Sequence, residues 1–272
     1  MATIDTGTED VLADVEDGVA VLTMNRPERR NAMSGPMLEA MARLLADVEV
    51  DDDVGCVVLT GAGGAFCAGG DVKGMAASHE AGPTMSFDAA VHLQRLSQRA
   101  TSGKLWEMPK PTIAALPGAA AGGGMALALA CDLRYASESA FITTAFAKVG
   151  FAGDYGGIWF LSRLIGQAKA RELYFFSDKV DSTEALRLGI VNEVFPDASF
   201  QADVRARARR LADGPRVAYR YMKENFNRSI SGDLFECMDM EAAHHNRTGQ
   251  TEDHREAARA FTEKRAPSFH NR

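Results

Sequence analysis

Two glycine-rich turns are the segments whose residue types and spacing could do chemistry. Residues 61–71 (GAGGAFCAGGD) follow an apolar run that ends at Leu59, and residues 118–124 (GAAAGGG) follow the apolar run 113–116. Glycine lets a backbone N–H approach a ligand without a Cβ in the way, and a helix N-terminus adds partial positive charge. Two such amides aimed at one oxygen would stabilise an enolate or a tetrahedral oxyanion, and removing one donor typically costs about 3–4 kcal/mol.

Other glycine motifs do not fit these turns. A dinucleotide fingerprint that starts at Gly61-x-Gly63 requires a third glycine where the chain has Phe66. The sequence contains neither G-x-x-x-x-G-K-[ST] nor G-x-S-x-G, the patterns of a phosphate-binding loop and of a nucleophile elbow. Tight turns and close packing remain the alternative explanation for both glycine segments.

The elements that must position these turns follow from apolar periodicity. Strands are predicted at residues 19–24, 56–60, 112–116, 133–136 and 141–143. Ser34 is predicted to cap a helix with Pro36 in its first turn. The apolar stripe of this helix is Leu38, Met41, Leu44, Leu45 and Val48.

Later helices are predicted at residues 158–164 and 168–176, with Asp181 capping a third. Residues 71–104 are predicted to be weakly patterned helix with a mobile surface stretch around residues 79–83. From residue 201 the whole sequence is typical of helix.

This order of elements predicts an α/β fold. Strands alternate with helices up to about residue 195, which indicates a core domain of residues 1–200 and a helical region of residues 201–272. The residues alone leave open whether the core is a spiral of β-β-α units or a doubly wound sheet.

Charge and composition exclude several classes of protein. The net charge is −7 and the pI about 5.4, which disfavours nucleic acid as a partner. Residues 201–272 carry 14 Lys and Arg against 11 Asp and Glu, and this net of +3 suits a small anionic ligand. The N-terminus is unlike a signal peptide, and the longest apolar stretch, residues 119–131, is too short for a bilayer. We therefore expect a cytoplasmic protein without membrane contact.

Cysteine and histidine spacing argues against a metal or disulfide framework. The four cysteines, at positions 56, 67, 131 and 237, form no C-x-x-C pair. His244-His245 lacks a third ligand at suitable spacing. We expect a reduced protein that binds no metal.

Four segments together resemble the crotonase, or enoyl-CoA hydratase/isomerase, superfamily. They are residues 24–33 (MNRPERRNAM), 65–73 (AFCAGGDVK), 111–132 with its triple glycine and Cys131-Asp132, and 261–269 (FTEKRAPSF). The resemblance implies a spiral of ββα units followed by helices that mediate trimerisation, as a homotrimer or a dimer of trimers. It also implies a small-molecule acyl-CoA as substrate and no tightly bound cofactor, coenzyme A being part of the substrate.

The resemblance also assigns roles to single positions. The backbone N–H groups of Gly70 and Gly123 would form the oxyanion hole. Phe261 and Lys264 would reach CoA from the last helix, often across a subunit interface, although a solvated charge is the alternative for Lys264. The complete set of implied CoA and substrate contacts is Arg30, Ala32, Ala68, Asp71, Val72, Lys73, Phe146, Phe261 and Lys264.

The sequence departs from the hydratases of this superfamily at both catalytic positions. Their two glutamates match Ala126 and Phe146 here, and neither side chain can exchange a proton. Asp154 instead matches a working aspartate of dienoyl-CoA isomerases, epoxyphenylacetyl-CoA isomerases and chlorobenzoyl-CoA dehalogenases. Its surroundings are most similar to the epoxyphenylacetyl-CoA isomerases, and Arg99 stands where a dehalogenase needs histidine.

A single aspartate suffices for isomerase chemistry, because the same carboxyl group can remove and return a proton. It must lie within about 3 Å of that proton, with a pKa raised by an apolar pocket. Phe146, Phe151 and Trp159 are candidates for this pocket, whereas a turn or helix N-cap aspartate is the alternative for Asp154. We predict an acyl-CoA isomerase with Asp154 as its acid and base. The alternatives are an enoyl-CoA hydratase, a non-catalytic CoA-thioester binder and an RNA-binding relative.

Overall fold

The computed structural model of the chain describes residues 2–72, 74–75 and 85–271. Its strands are β1 Ala2–Ile4, β2 Val11–Glu16, β3 Val19–Met24, β4 Cys56–Gly61, β5 Ala65–Cys67, β6 Thr112–Leu116, β7 Ala119–Ala121, β8 Leu133–Ser137, β9 Phe141–Thr143, β10 Val180–Asp181 and β11 Glu193–Phe195. Its helices are α1 Gly35–Val50, α2 Phe87–Gln98, α3 Lys104–Glu107, α4 Gly123–Ala130, α5 Gly157–Ile165, α6 Gln167–Phe176, α7 Ser182–Arg187, α8 Phe200–Ala212, α9 Arg216–Ser229, α10 Leu234–Thr248 and α11 Glu252–Glu263. A π-helical turn, Arg99–Gly103, joins α2 to α3.

The strands build two sheets that the chain visits in turn. One sheet has the order β1-β2-β3-β4-β6-β8-β11 and is parallel from β3 to β11. The other has the order β10-β9-β7-β5. Consecutive units β4-β5-α2, β6-β7-α4 and β8-β9-α5 each place one strand in each sheet before a helix. The spiral of ββα units that the resemblance implies is therefore confirmed, and the doubly wound sheet is wrong.

The short strands of the smaller sheet lie inside the segments interpreted as glycine turns. β5 interrupts the first turn, and β7 separates Gly118 from the triple glycine. The two strands are parallel, with Ala65 opposite Ala119. Because the carboxyl ends of parallel strands meet at one edge of a sheet, this pairing brings the ends of both glycine segments together.

Strands β4 and β6 are buried on both faces, which explains their continuous apolar sequence. Val57 and Leu59 of β4 join a large core with α1, whereas Cys56 and Val58 face a second core that α8 covers. α8 begins at Phe200 and shares this core with the sheet. The division into residues 1–200 and 201–272 stays a prediction.

The starts of helices were predicted correctly where the sequence contains a capping residue. Ser34 Oγ accepts the Met37 amide at 3.1 Å, and Asp181 Oδ1 accepts the Glu184 amide at 2.8 Å. Four of the five predicted α1 stripe residues are buried, and Leu38 is half-buried. Both predicted caps are confirmed.

Other predictions along the chain were less complete. Strands β1, β2, β10 and β11 were not predicted, and within residues 71–104 regular α2 begins only at Phe87. The predicted mobile stretch, residues 79–83, lies outside the described residues. Among the described helices, none combines the length and apolar character needed to cross a membrane. Cytoplasmic localisation stays a prediction.

Candidate active site

Both glycine segments and Asp154 border a single cavity of about 930 Å³. Its walls come from α1, the two glycine segments, α2 and the loop that precedes α5. The predicted site residues that line it are Ala68, Gly70, Val72, Gly123, Phe146 and Asp154. The structure therefore brings together residues that are up to 86 positions apart in the chain, from Ala68 to Asp154.

The first glycine segment is held against the residues that precede α1. The Met33 amide donates to the Gly69 carbonyl at 2.8 Å, and Met33 forms an isolated parallel bridge with Gly70. Gly69 has φ +86°, and a Cβ there would lie 2.8 Å from the Ala121 oxygen and 3.3 Å from the Gly123 nitrogen. Only glycine allows this approach, so the two segments are in direct contact.

The second glycine segment ends at the N-terminus of α4. Gly123 is the first residue of this eight-residue helix, all of which is buried. A Cβ on Gly123 would lie 2.5 Å from Met33 Cε and 3.1 Å from Asp154 Oδ1. Across the part of the chain that the structure describes, the Gly70 and Gly123 amides donate to no protein acceptor. Both residues line the cavity.

Asp154 is positioned by backbone contacts on either side. Its carbonyl accepts the Gly157 amide at 3.0 Å, and the next amide, that of Tyr155, donates to Gln98 Oε1 of α2 at 2.8 Å. The residue that caps α5 is Gly156, which has no side chain. The interpretation of Asp154 as a helix-capping side chain is therefore wrong.

The carboxyl group of Asp154 is in an apolar environment. Its Oδ1 is buried and, among the described residues, has no hydrogen-bond partner. Removal from water disfavours the charged form, and this burial raises the pKa of Asp154 to about 6. A carboxyl group with this pKa can both accept and donate a proton near neutral pH.

The aromatic side chains predicted around Asp154 divide into two sets. Phe146 and Phe151 line the cavity, as predicted. Trp159 does not: its ring packs edge-on against Trp106 at 5.5 Å, and the Arg163 guanidinium lies 3.9 Å above it. Trp159 is close to Asp154 in sequence but lies on α5, beyond the loop that carries Asp154, and its side chain is outside the cavity lining.

Several lining residues were not identified from the sequence. Met33 and Leu38 form the α1 side, and Ser97, Gln94 and Tyr155 contribute polar groups. The described parts of residues 74–100 and 141–160 supply much of the remaining lining, including Met75, Leu93 and Val149. Nothing in the local sequence indicated that α1 would line the cavity, because Leu38 belongs to the apolar stripe that was expected to face the core.

Of the remaining predicted contacts near the first glycine segment, those that the structure describes do not line the cavity. Asp71 is occupied by the Gly74 amide at 3.1 Å and by Arg26 at 3.3 Å. Its pKa is lowered, chiefly by the hydrogen bond from the Gly74 amide. Ala32 is buried, whereas Arg30 is exposed and accepts the Ala68 amide through its carbonyl. Lys73 lies outside the described residues.

The last helix is not part of this cavity in a single chain. Phe261 is 85% exposed, and Lys264 ends α11 in a left-handed conformation. The two glutamate positions of hydratases are occupied by buried Ala126 and by the cavity-lining Phe146. Among the described residues, no cluster of three His, Cys, Asp or Glu side chains is arranged to hold a metal.

Comparison with known proteins defines the class of the molecule. A profile of the family described as "Enoyl-CoA hydratase/isomerase" matches residues 14–272. The chain is 36% identical over 259 residues to a "Probable enoyl-CoA hydratase" of Rhodobacter capsulatus, covering 95% of this chain and 97% of that protein. It is 35% identical over 262 residues to the 1,2-epoxyphenylacetyl-CoA isomerase of Escherichia coli K12, covering 96% and 98%.

A solved structure extends this similarity to the fold. The crystal structure of an enoyl-CoA hydratase from Bacillus anthracis matches with a TM-score of 0.89 and 31% identity, covering 97% of this chain and 100% of that one. The fold is that of a crotonase-type enzyme. The chain belongs to the enoyl-CoA hydratase/isomerase family.

Proposed function

We propose that this enzyme isomerises an acyl-CoA, with Asp154 moving the proton. One observation carries the proposal: the Asp154 carboxyl group has a raised pKa and a buried oxygen with no hydrogen-bond partner among the described residues. It lies beside two glycine segments, and the Gly70 and Gly123 amides donate to none of those residues. The cavity that holds all three is otherwise mostly apolar and is large enough for an acyl group with part of the pantetheine.

The Gly70 and Gly123 amides are proposed to bind the thioester oxygen. The position of Gly123 at the N-terminus of α4 adds the partial positive charge of the helix end. As a proton leaves carbon, negative charge grows on this oxygen, and fixed donors stabilise it more than they stabilise the neutral carbonyl. The two amides therefore favour the enolate.

The proton follows a path that begins and ends on Asp154. Its carboxylate removes a proton from the carbon α or γ to the thioester, and the electrons of the broken C–H bond enter the enolate. The carboxylic acid then returns that proton to a different carbon, so the double bond or ring is rearranged with no other reactant. The pKa of about 6 suits both steps.

Hydration is the alternative reaction. The name of the Rhodobacter capsulatus relative favours it, whereas the name of the Escherichia coli relative favours isomerisation. The two-glutamate hydration mechanism cannot operate at positions 126 and 146, because Ala126 and Phe146 carry no titratable group. A hydratase would have to activate water with Asp154 alone or with a group placed elsewhere.

Assays of crotonyl-CoA and 3-enoyl-CoA thioesters test the proposal. We expect double-bond migration in the wild type, and a loss of at least about 100-fold in kcat for Asp154→Asn, because the amide cannot exchange protons. Asp47→Asn, which removes an exposed carboxylate on α1, is the matched control. Hydration of crotonyl-CoA without migration, lost in Asp154→Asn, would reverse our order of the two reactions.

The cationic end of the chain is proposed to complete the CoA site of a neighbouring copy in a homotrimer or dimer of trimers. Exposed aromatic side chains on the C-terminal helices support this assembly: Phe226, Phe235 and Phe261 are each more than 70% exposed. We expect sedimentation equilibrium to give three or six times 29.3 kDa.

We further expect Phe261→Ala or Lys264→Ala to raise KM for the thioester. A monomer with unchanged KM in both variants would contradict the assembly.

A further inference from the structure

Two hydroxyl groups interrupt the apolar wall of the cavity between α2 and the Asp154 loop. Ser97 and Tyr155 both line the cavity, and Ser97 Oγ lies 3.4 Å from the Tyr155 hydroxyl. This is a long hydrogen bond in which one hydroxyl donates and the other accepts, so the second O–H proton has no acceptor within the pair. Tyr155 is 5% exposed, so its hydroxyl depends on partners at the cavity wall rather than on bulk water.

Both hydroxyls are carried by backbone that is fixed independently of any ligand. The Tyr155 amide is bound by Gln98 Oε1, and the Ser97 carbonyl accepts the Thr101 hydroxyl at 2.7 Å. Tyr155 holds a left-handed conformation, φ +49°, which is unfavourable for a residue with a Cβ. The Tyr155 hydroxyl meets Ser97 of α2, and its neighbour Asp154 lines the same cavity.

The surroundings of the pair are apolar. Leu93, Leu96 and Ala100 of the same region line the cavity, and Gln94 is the nearest lining residue in sequence with further polar capacity. A hydrocarbon acyl chain that reached this wall would displace water from both hydroxyls and leave them poorly paired. An oxygen atom on the acyl group would instead accept a hydrogen bond from each of them.

We propose that Ser97 and Tyr155 form a subsite for an oxygen atom on the acyl group, so that the preferred substrates are oxygenated acyl-CoAs rather than plain hydrocarbon ones. The accepting atom is a hydroxyl, carbonyl or cyclic ether oxygen that bridges the 3.4 Å gap. This inference rests on the proposed function, since it requires the thioester to bind in the same cavity.

Calorimetric binding of matched thioesters tests the subsite without depending on turnover. The ligands are phenylacetyl-CoA and its three ring-hydroxylated isomers, and hexanoyl-CoA and its hydroxylated forms, each titrated into wild type and into Asp154→Asn. We expect at least one oxygenated ligand to bind about tenfold more tightly than its parent. Ser97→Ala and Tyr155→Phe should each reduce that preference to about threefold or less.

Two variants control for the loss of a hydroxyl elsewhere. Ser102→Ala removes a hydroxyl that donates to the Gln98 carbonyl at 3.0 Å, and Tyr174→Phe removes one that is buried behind Phe146; neither residue lines the cavity. Both should keep the wild-type preference. The subsite is refuted if wild type shows no preference for any oxygenated ligand, or if the preference survives in both Ser97→Ala and Tyr155→Phe. In that case the proposed function stands as long as the parent thioesters bind, whereas an absence of binding by every thioester refutes both.

Discussion

Two aspartates near the cavity show how environment separates one carboxyl group from another. Asp71 accepts the Gly74 amide and pairs with Arg26, and both contacts lower its pKa. Asp154 has no such donor at its buried oxygen among the described residues, and burial raises its pKa to about 6. Since a proton-transfer group works best with a pKa near the working pH, Asp154 and not Asp71 suits catalysis.

The raised pKa of Asp154 predicts the pH dependence of the reaction. If its carboxylate removes the proton, kcat/KM should rise with pH through an apparent pKa of about 6 and level off above pH 7. Initial rates between pH 4.5 and 8 at low substrate concentration measure this. A profile that is already flat at pH 5 would contradict the assignment.

Stability gives an independent check on the same carboxyl group. Because the folded-state pKa lies above the ordinary aspartate pKa of 3.8, the folded protein binds more protons than the unfolded chain between about pH 4 and 6. The burial of Asp154 therefore lowers stability as pH rises through this window, and the full cost is present above pH 6. Asp154→Asn should raise the free energy of unfolding at pH 7.5 by about 1–2 kcal/mol relative to its effect at pH 4, after allowance for solvent screening.

At the scale of elements, two three-residue strands and one helix end build the proposed oxyanion site. Parallel pairing of β5 with β7 sets the two glycine segments side by side, and α4 begins where they meet. The contact is close enough that added atoms at Gly69 or Gly123 meet neighbouring residues. Glycine here permits close approach between segments.

Gly123→Ala tests the importance of this close approach. The new Cβ would overlap Met33 Cε, which can move, and would lie 3.1 Å from Asp154 Oδ1. We expect kcat/KM to fall at least about 100-fold, as for loss of an oxyanion donor, with a stability loss of only about 1 kcal/mol. Steady-state kinetics and urea unfolding separate the two effects.

Gly103→Ala is the control for this substitution. A Cβ at Gly103 would lie 3.5 Å from the nearest atom, the Gln98 oxygen, which is an ordinary contact. It should leave kcat/KM within about twofold of wild type. Equal losses in the two variants would mean that added bulk in this half of the chain, and not the site at Gly123, causes the defect.

At the scale of the whole molecule, a buried cation connects the C-terminal helices to the core. Lys223 of α9 is only 8% exposed, and its ammonium donates to the carbonyls of Leu105 and Lys110 and to Asp132 Oδ2, at 2.8–3.1 Å. Asp132 in turn accepts the amide and hydroxyl of Thr112. This cluster fixes α9 against the beginning of β6.

Lys223→Met should destabilise the protein by about 3 kcal/mol. The substitution removes the ammonium donor from two carbonyls and from the Asp132 carboxylate, which keeps its hydrogen bonds from Thr112. Breaking a pair whose cation is buried costs more than breaking a surface pair. Lys169→Met, which breaks an exposed pair with Glu172, should cost less than about 1 kcal/mol. Urea unfolding of both variants measures the difference, and equal costs would contradict a structural role for Lys223.

The sequence by itself determined the features that depend on near neighbours. Ser34 caps α1 because its side chain lies three residues before the amide it accepts, and β4 is recognisable because six consecutive buried residues leave no polar alternation. The glycine segments and Asp154 were also identifiable, although through a family resemblance that supplied their roles. The structure brings them to one cavity.

Only the tertiary structure decided how those pieces meet. A three-residue strand such as β5 or β7 is too short to show a period, so its pairing cannot be derived locally. Gln98 binds the Tyr155 amide across 57 positions, and Lys223 meets Asp132 across 91. Such contacts depend on the path of the whole chain, because side chains far apart in sequence interact only after packing has brought their elements together. The desolvation that raises the pKa of Asp154 arises in the same way, from residues on separate elements that exclude water.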